Sequence, residues 1–104
     1  MASMLQIQQL VADIVRQFSP QKIVLFGSHA RGEAGPDSDV DLLVIIPHKE
    51  HAAQKAAEIT QRVHPGDYSL DLIVRSPDTI RARLQMNDWF VRELMREGQV
   101  LYAA

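Results

Sequence analysis

The run from Leu42 to Ile46 is apolar without a break, and it constrains the fold more than any other stretch of the chain. A strand with one wet face alternates apolar and polar residues, so an unbroken run points to burial on both faces, as in a sheet with helices packed against it. No longer apolar run exists, and this one falls far short of the ~20 residues that span a bilayer. Strand is therefore expected over residues 39–46.

Other segments supply the rest of such a sheet. Ile7, Leu10, Val11, Ile14, Val15 and Phe18 recur at helical spacing between polar residues, which gives an amphipathic helix stopped near Pro20. Lys22 to Phe26 is a short β-branched apolar run ending at Gly27, the pattern of a buried strand. A crossover helix is expected over residues 48–64, with Ala52, Ala56, Ile59 and Val63 on one stripe and Pro65-Gly66 closing it. Ser69 to Arg75 reads as a third strand, and Ser76-Pro77 as a helix N-cap followed by proline at the first helical position. Helix is expected from there to about Gly98, broken in two at Asn87-Asp88. The predicted class is α/β (α+β), a small mixed sheet of three or more strands flanked by helices, in one domain over residues 1–104.

Composition removes several functions. The chain has 104 residues, 46% hydrophobic and 23% charged, with a formal net charge of −2. No general basic field exists to hold a phosphate backbone by counterion release, so no direct nucleic-acid partner is expected. The absence of cysteine removes disulfides, thiolate zinc sites and cysteine nucleophiles, leaving oxygen ligands for any metal. The start lacks a secretory pattern, and no membrane partner is expected; the predicted compartment is the cytoplasm.

The chemistry concentrates between Gly27 and Val44. Asp39 and Asp41, two apart at the lip of the central strand, would share a face and repel each other unless a cation intervenes. Carboxylate oxygens without thiolate or clear imidazole companions favour Mg²⁺ or Mn²⁺. The spacing Asp37-x-Asp39-x-Asp41 imitates an EF-hand loop, but Leu42 and His48 stand where Gly and Glu are required. Gly27-x4-Gly32 imitates a P-loop, but Glu33-Ala34 stands where Lys-Ser/Thr is required. Gly27 allows a sharp turn and close approach of the backbone, and Ser28 offers a hydroxyl and an amide at a helix start, together a natural phosphate site. A second role for Ser28, as a plain helix cap, stays open. Asp71 stands alone in the apolar strand Leu70-Asp71-Leu72-Ile73-Val74, where burial would require compensation by a metal, an Arg or backbone amides. Arg31 either faces phosphate or pairs with Glu33 or Asp37. The histidines at 29, 48, 51 and 64 show no ligand spacing and are expected on surfaces or loops. Trp89, Phe90, Val91, Leu94 and Met95 make a wide apolar face, expected as core with a partner interface as the alternative.

Taken together, Gly27-Ser28, ten residues, Asp39-Val40-Asp41 and a later strand acid resemble the nucleotidyltransferase superfamily built on the polymerase-β core. The fuller string Phe26-Gly27-Ser28-x-Ala30-Arg31-Gly32, then Ser38-Asp39-x-Asp41-Leu42, and the ending Glu97-Gly98-x-Val100-Leu101-Tyr102 resemble the minimal nucleotidyltransferase antitoxins. The resemblance implies that Gly27 and Ser28 hold the nucleoside triphosphate, that Asp39 and Asp41 bind magnesium, and that Asp71 completes the metal site or takes the acceptor's proton. His29 stands where many relatives carry another residue, often arginine, and receives no role. The implied reaction moves AMP from ATP to a tyrosine hydroxyl of a HEPN-type ribonuclease toxin and silences it. Only ~30 residues follow the catalytic strands, fewer than the 50 or more of a usual domain, so the acceptor is expected to dock in trans. Two alternatives are an antitoxin that acts by steric docking alone and an enzyme that modifies a small-molecule hydroxyl.

Overall fold

Ser3 opens the first helix by a reciprocal capping box: its hydroxyl accepts the Gln6 amide at 3.1 Å, and its own amide donates to Gln6 Oε1 at 2.8 Å. In the computed structural model, which describes residues 1–63 and 66–104, this helix is α1 (Met4–Phe18). It is followed by β1 (Lys22–Phe26), α2 (Gly27–Arg31), β2 (Val40–Ile45), α3 (Ala52–Val63), β3 (Leu70–Arg75), α4 (Pro77–Gln85), α5 (Trp89–Glu97) and β4 (Gln99–Ala103).

The strands form one mixed sheet in the order β3-β2-β1-β4. β1 runs antiparallel to both β2 and β4, while β2 and β3 are parallel and joined by the crossover helix α3. β2 is interior and buried on both faces, as its unbroken apolar run requires. One core packs Ile7, Leu10, Val11 and Ile14 of α1 and Ile59 of α3 against Ile23, Leu25, Leu42 and Val44. A second, on the opposite side, packs Ile80 of α4 and Val91 and Leu94 of α5 against Val24, Leu43 and Ile45. The side chains thus divide by strand periodicity, alternate residues facing opposite helical layers.

Some boundaries move. α3 starts at Ala52 instead of residue 48, because the preceding segment folds on itself: the His48 ring nitrogen Nδ1 donates to the Glu50 carbonyl at 2.7 Å. The expected end of that helix at His64 and Pro65, and the placement of His64, lie outside the described residues. β2 starts at Val40, leaving Asp39 in the loop before it. The break between α4 and α5 falls at Asn87, which has φ 57°, and Asp88, whose carboxylate caps α5 by accepting the Val91 amide at 3.1 Å.

β4 is absent from the elements expected from sequence. It pairs with β1 through a bulge at Ile23/Val24. The turn into it depends on Gly98, where a Cβ would come within 2.5 Å of both the Leu94 carbonyl oxygen and Val24 Cγ1. That close approach gives a packing reason for the glycine in the C-terminal motif.

Candidate active site

The β1–α2 turn is shaped by Gly27 at φ +73°, a left-handed conformation that residues with a Cβ rarely adopt. A Cβ at this position would also overlap Asp41 Oδ2 and lie 3.0 Å from Asp41 Cγ. The backbone of the turn therefore lies directly against that carboxylate. Phe26 is the N-cap of α2 and provides no side-chain cap. Ser28 is consequently not a helix cap, which corrects that reading, and its hydroxyl makes no hydrogen bond among the described residues.

The acids meet by register. β1–β2 pairing places Phe26 opposite Asp41, and parallel β2–β3 pairing places Asp41 opposite Asp71. Asp41 is half-buried, and its carboxyl pKa is raised, first by burial and then by the negative charges of Asp71 and Asp39. His29 and Arg31 act on it in the opposite direction. The structure thus brings Asp39, Asp41 and Asp71 into one electrostatic neighbourhood. Asp71 itself is exposed, and the expectation of an acid buried in an apolar strand is corrected. The cause is topological: β3 is an edge strand, and its apolar neighbours Leu72 and Val74 are the ones turned into the core.

His29 departs from the surface or loop position expected of it. Its ring sits in α2, with Nδ1 2.9 Å from the Asp39 carbonyl oxygen. A carbonyl can only accept, so Nδ1 carries the proton in this contact and a neutral ring leaves Nε2 as an acceptor. Nε2 is buried without a hydrogen-bond partner among the described residues. No local sequence signal marks this contact, since the partner is a backbone atom ten residues on. Arg31 pairs with Glu33 at 3.4 Å, both side chains exposed, the kind of pair worth about 0–1 kcal/mol.

Among the described residues no three His, Cys, Asp or Glu side chains close around one point as a metal cage. The donors nevertheless suit Mg²⁺, which is commonly held by one or two carboxylates and completed by water and substrate phosphates. Burial first, and then the charges of Asp71 and Asp39, disfavour the ionised Asp41 carboxyl, and a cation bound beside it would offset both effects.

The C-terminal apolar cluster divides between roles. Val91 and Leu94 are buried in the second core and Met95 packs beside it, whereas Trp89 is 73% and Phe90 48% exposed. The Phe90 ring stands edge-on to Phe26 with centroids 6.3 Å apart. These aromatics border a cleft of about 400 Å³ that also reaches Gly27 and Arg31.

The wider resemblance agrees with this geometry. The fold matches a toxin–antitoxin complex solved with AMP-PNP at TM-score 0.55 and 18% identity, covering 93% of this chain and 73% of that one. It also matches a protein from Sulfolobus solfataricus described as a candidate nucleotidyltransferase, at TM-score 0.58 and 24% identity, covering 73% and 68%. No curated protein matches the sequence. The nucleotidyltransferase domain family matches residues 7–101, a span containing the glycine turn and all three acids. With a mixed sheet and flanking helices arranged as in the polymerase-β core, the chain belongs to the nucleotidyltransferase domain family.

Proposed function

We propose that the chain is a minimal antitoxin-type nucleotidyltransferase that transfers AMP from ATP to a tyrosine hydroxyl of a cognate HEPN-type ribonuclease toxin. The observation that carries this reading is the contact of the Gly27 turn with Asp41, which brings a left-handed glycine turn and neighbouring carboxylates to one place. The fold's likeness to a toxin–antitoxin complex solved with AMP-PNP supports the choice of a protein partner and an adenine nucleotide.

In this reading the Gly27 backbone and the unengaged Ser28 hydroxyl hold the triphosphate, and Arg31 can leave its weak pair with Glu33 to face phosphate. Asp39 and Asp41 hold magnesium, which when bound neutralises phosphate charge as the bond to pyrophosphate breaks. Asp71 is exposed in register with Asp41, so an approaching hydroxyl can reach it, and this exposure supports a proton-accepting role over a purely structural one. The acceptor oxygen bonds to the α-phosphorus, its proton passes to Asp71, and pyrophosphate leaves. We assign the activity to a single minimal domain over residues 1–104, acting in the cytoplasm; among the described residues no helix is long and apolar enough to cross a membrane.

The test is to incubate the protein with labelled ATP, Mg²⁺ and the product of the adjacent gene, and to locate the label by mass spectrometry. AMP on a tyrosine of that protein is the expected result. Neutralisation of the toxin without any label, or label on a small metabolite alone, would overturn the assignment.

A further inference from the structure

The cleft beside the glycine turn has one wall that the phosphate and metal chemistry does not use. Trp89 and Phe90 open α5 and remain largely in solvent, while Val91 and Leu94, next along the same helix, are buried. Their positions are set from below. Asp88 accepts the Val91 amide and also pairs with Arg83 at 3.1 Å, pinning the first turn of α5. Phe26 lies edge-on against Phe90, with ring planes at 88°. Because Phe26 directly precedes Gly27, the aromatic wall begins about one ring away from the turn that contacts Asp41.

We propose that Trp89 and Phe90 form a shelf on which the base of the nucleoside triphosphate stacks while its phosphates lie along Gly27 and Ser28. The inference rests on the phosphate role given to that turn above. A base offers a flat face to an exposed ring, and such stacking tolerates any base while favouring the larger purines. The cleft is concave and about 400 Å³, within the range of small-ligand sites. Its lining offers no basic field for a nucleic-acid strand: Arg31 shares the cleft with Glu93 and Glu97, and both of these acids pair with Arg96. A macromolecular partner covering the same aromatics is the competing occupant.

Trp89 is the sole tryptophan, so its emission reports this wall directly. The full chain is titrated in Mg²⁺ with a non-hydrolysable ATP analogue and, separately, with inorganic tripolyphosphate. Saturable quenching by the analogue is expected, while tripolyphosphate should compete with the analogue and leave the emission unchanged. By calorimetry, Trp89→Ala and Phe90→Ala should each weaken the analogue about tenfold or more and leave tripolyphosphate affinity within about twofold. Trp89→Ala should keep its melting temperature, since the side chain is mostly in solvent. Tripolyphosphate binding together with unquenched emission and unchanged analogue affinity in both variants would overturn the shelf while leaving the phosphate turn in place. Loss of toxin binding by those same variants would then identify the protein partner as the occupant. Failure of both ligands to bind would overturn the shelf and the phosphate role of Gly27-Ser28 together.

Discussion

Gly27 and Asp41 are in such close contact that neither position can be changed without regard to the other. Gly27→Ala introduces both a left-handed strain and an overlap with the carboxylate, and should destabilise the protein by roughly 1–3 kcal/mol and sharply weaken nucleotide binding. In an Asp41→Ala background the overlap with the carboxylate is gone, leaving the backbone strain and a milder 3.3 Å contact with the Cβ at position 41. A double-mutant cycle by urea unfolding should therefore show coupling above about 0.5 kcal/mol. Additive effects would mean that the two groups do not meet in solution.

The bond from His29 to the Asp39 carbonyl predicts a selective rescue. Asn at position 29 can place an amide donor near the site of Nδ1, whereas Gln reaches toward that of Nε2 and Ala offers neither. His29→Asn should keep most transfer activity and Mn²⁺ affinity, and His29→Ala and His29→Gln should each lose about tenfold in both. Equal behaviour of the three variants, followed by activity assay and Mn²⁺ electron spin resonance, would exclude a role for the Nδ1 contact.

The charge on Asp41 is disfavoured in the native state, because burial and its acidic neighbours raise its folded pKa above the ordinary 3.8. Between those two values the native protein binds more protons than the unfolded chain, so stability falls as pH rises through that window. In metal-free buffer near neutral pH, Asp41→Asn should melt a few degrees above the parent, and the gain should vanish below about pH 4. Asp71→Asn should gain less, since an exposed carboxylate loses little hydration. Asp88 behaves with the opposite sign: the Val91 amide and Arg83 lower its pKa, so its contribution is present at neutral pH and fades as the solution is acidified. Melting curves between pH 3 and 8 check both directions.

Much of this arrangement was legible in the sequence because local pattern and tertiary burial agree. β1 has the expected limits, α1 stops before Pro20, and Ser76-Pro77 opens α4 with the hydroxyl accepting the Thr79 amide. β4 was missed because Gln99–Ala103 is short, lies at an edge and is half wet, so it carries neither a clean alternation nor a buried run. Asp71 misled for a related reason. Its apolar neighbours suggest burial, but whether a strand sits at an edge depends on sheet order, which no local window records. The His29 contact is likewise between distant groups, one of them backbone.

The divided apolar cluster of α5 yields a sharp contrast. Leu94 is 6% exposed, packed in the core with Val24 and Leu43, so Leu94→Asp should destabilise by about 3 kcal/mol or more and reduce soluble yield. Trp89→Asp should leave folding intact. A charge at Leu94 is therefore no test of an interface, whereas a charge at Trp89 is. Thermal unfolding of the two variants side by side separates them.

The pairing of Asp41 with Asp71 across parallel strands acts as a reading frame for the site. Side chains on a strand switch faces at every step, so a single inserted residue between Asp71 and Leu72 would turn that carboxylate to the opposite layer unless the hydrophobic residues after the insertion slipped instead. Leu72 and Val74 are locked in the first core and resist such a slip. Lengthening the connection at the exposed Gly66 and Asp67, ahead of β3, does not disturb this phase. Natural and engineered variants of this chain should therefore accept insertions in the connection and reject them within the strand, even at positions that touch neither nucleotide nor metal.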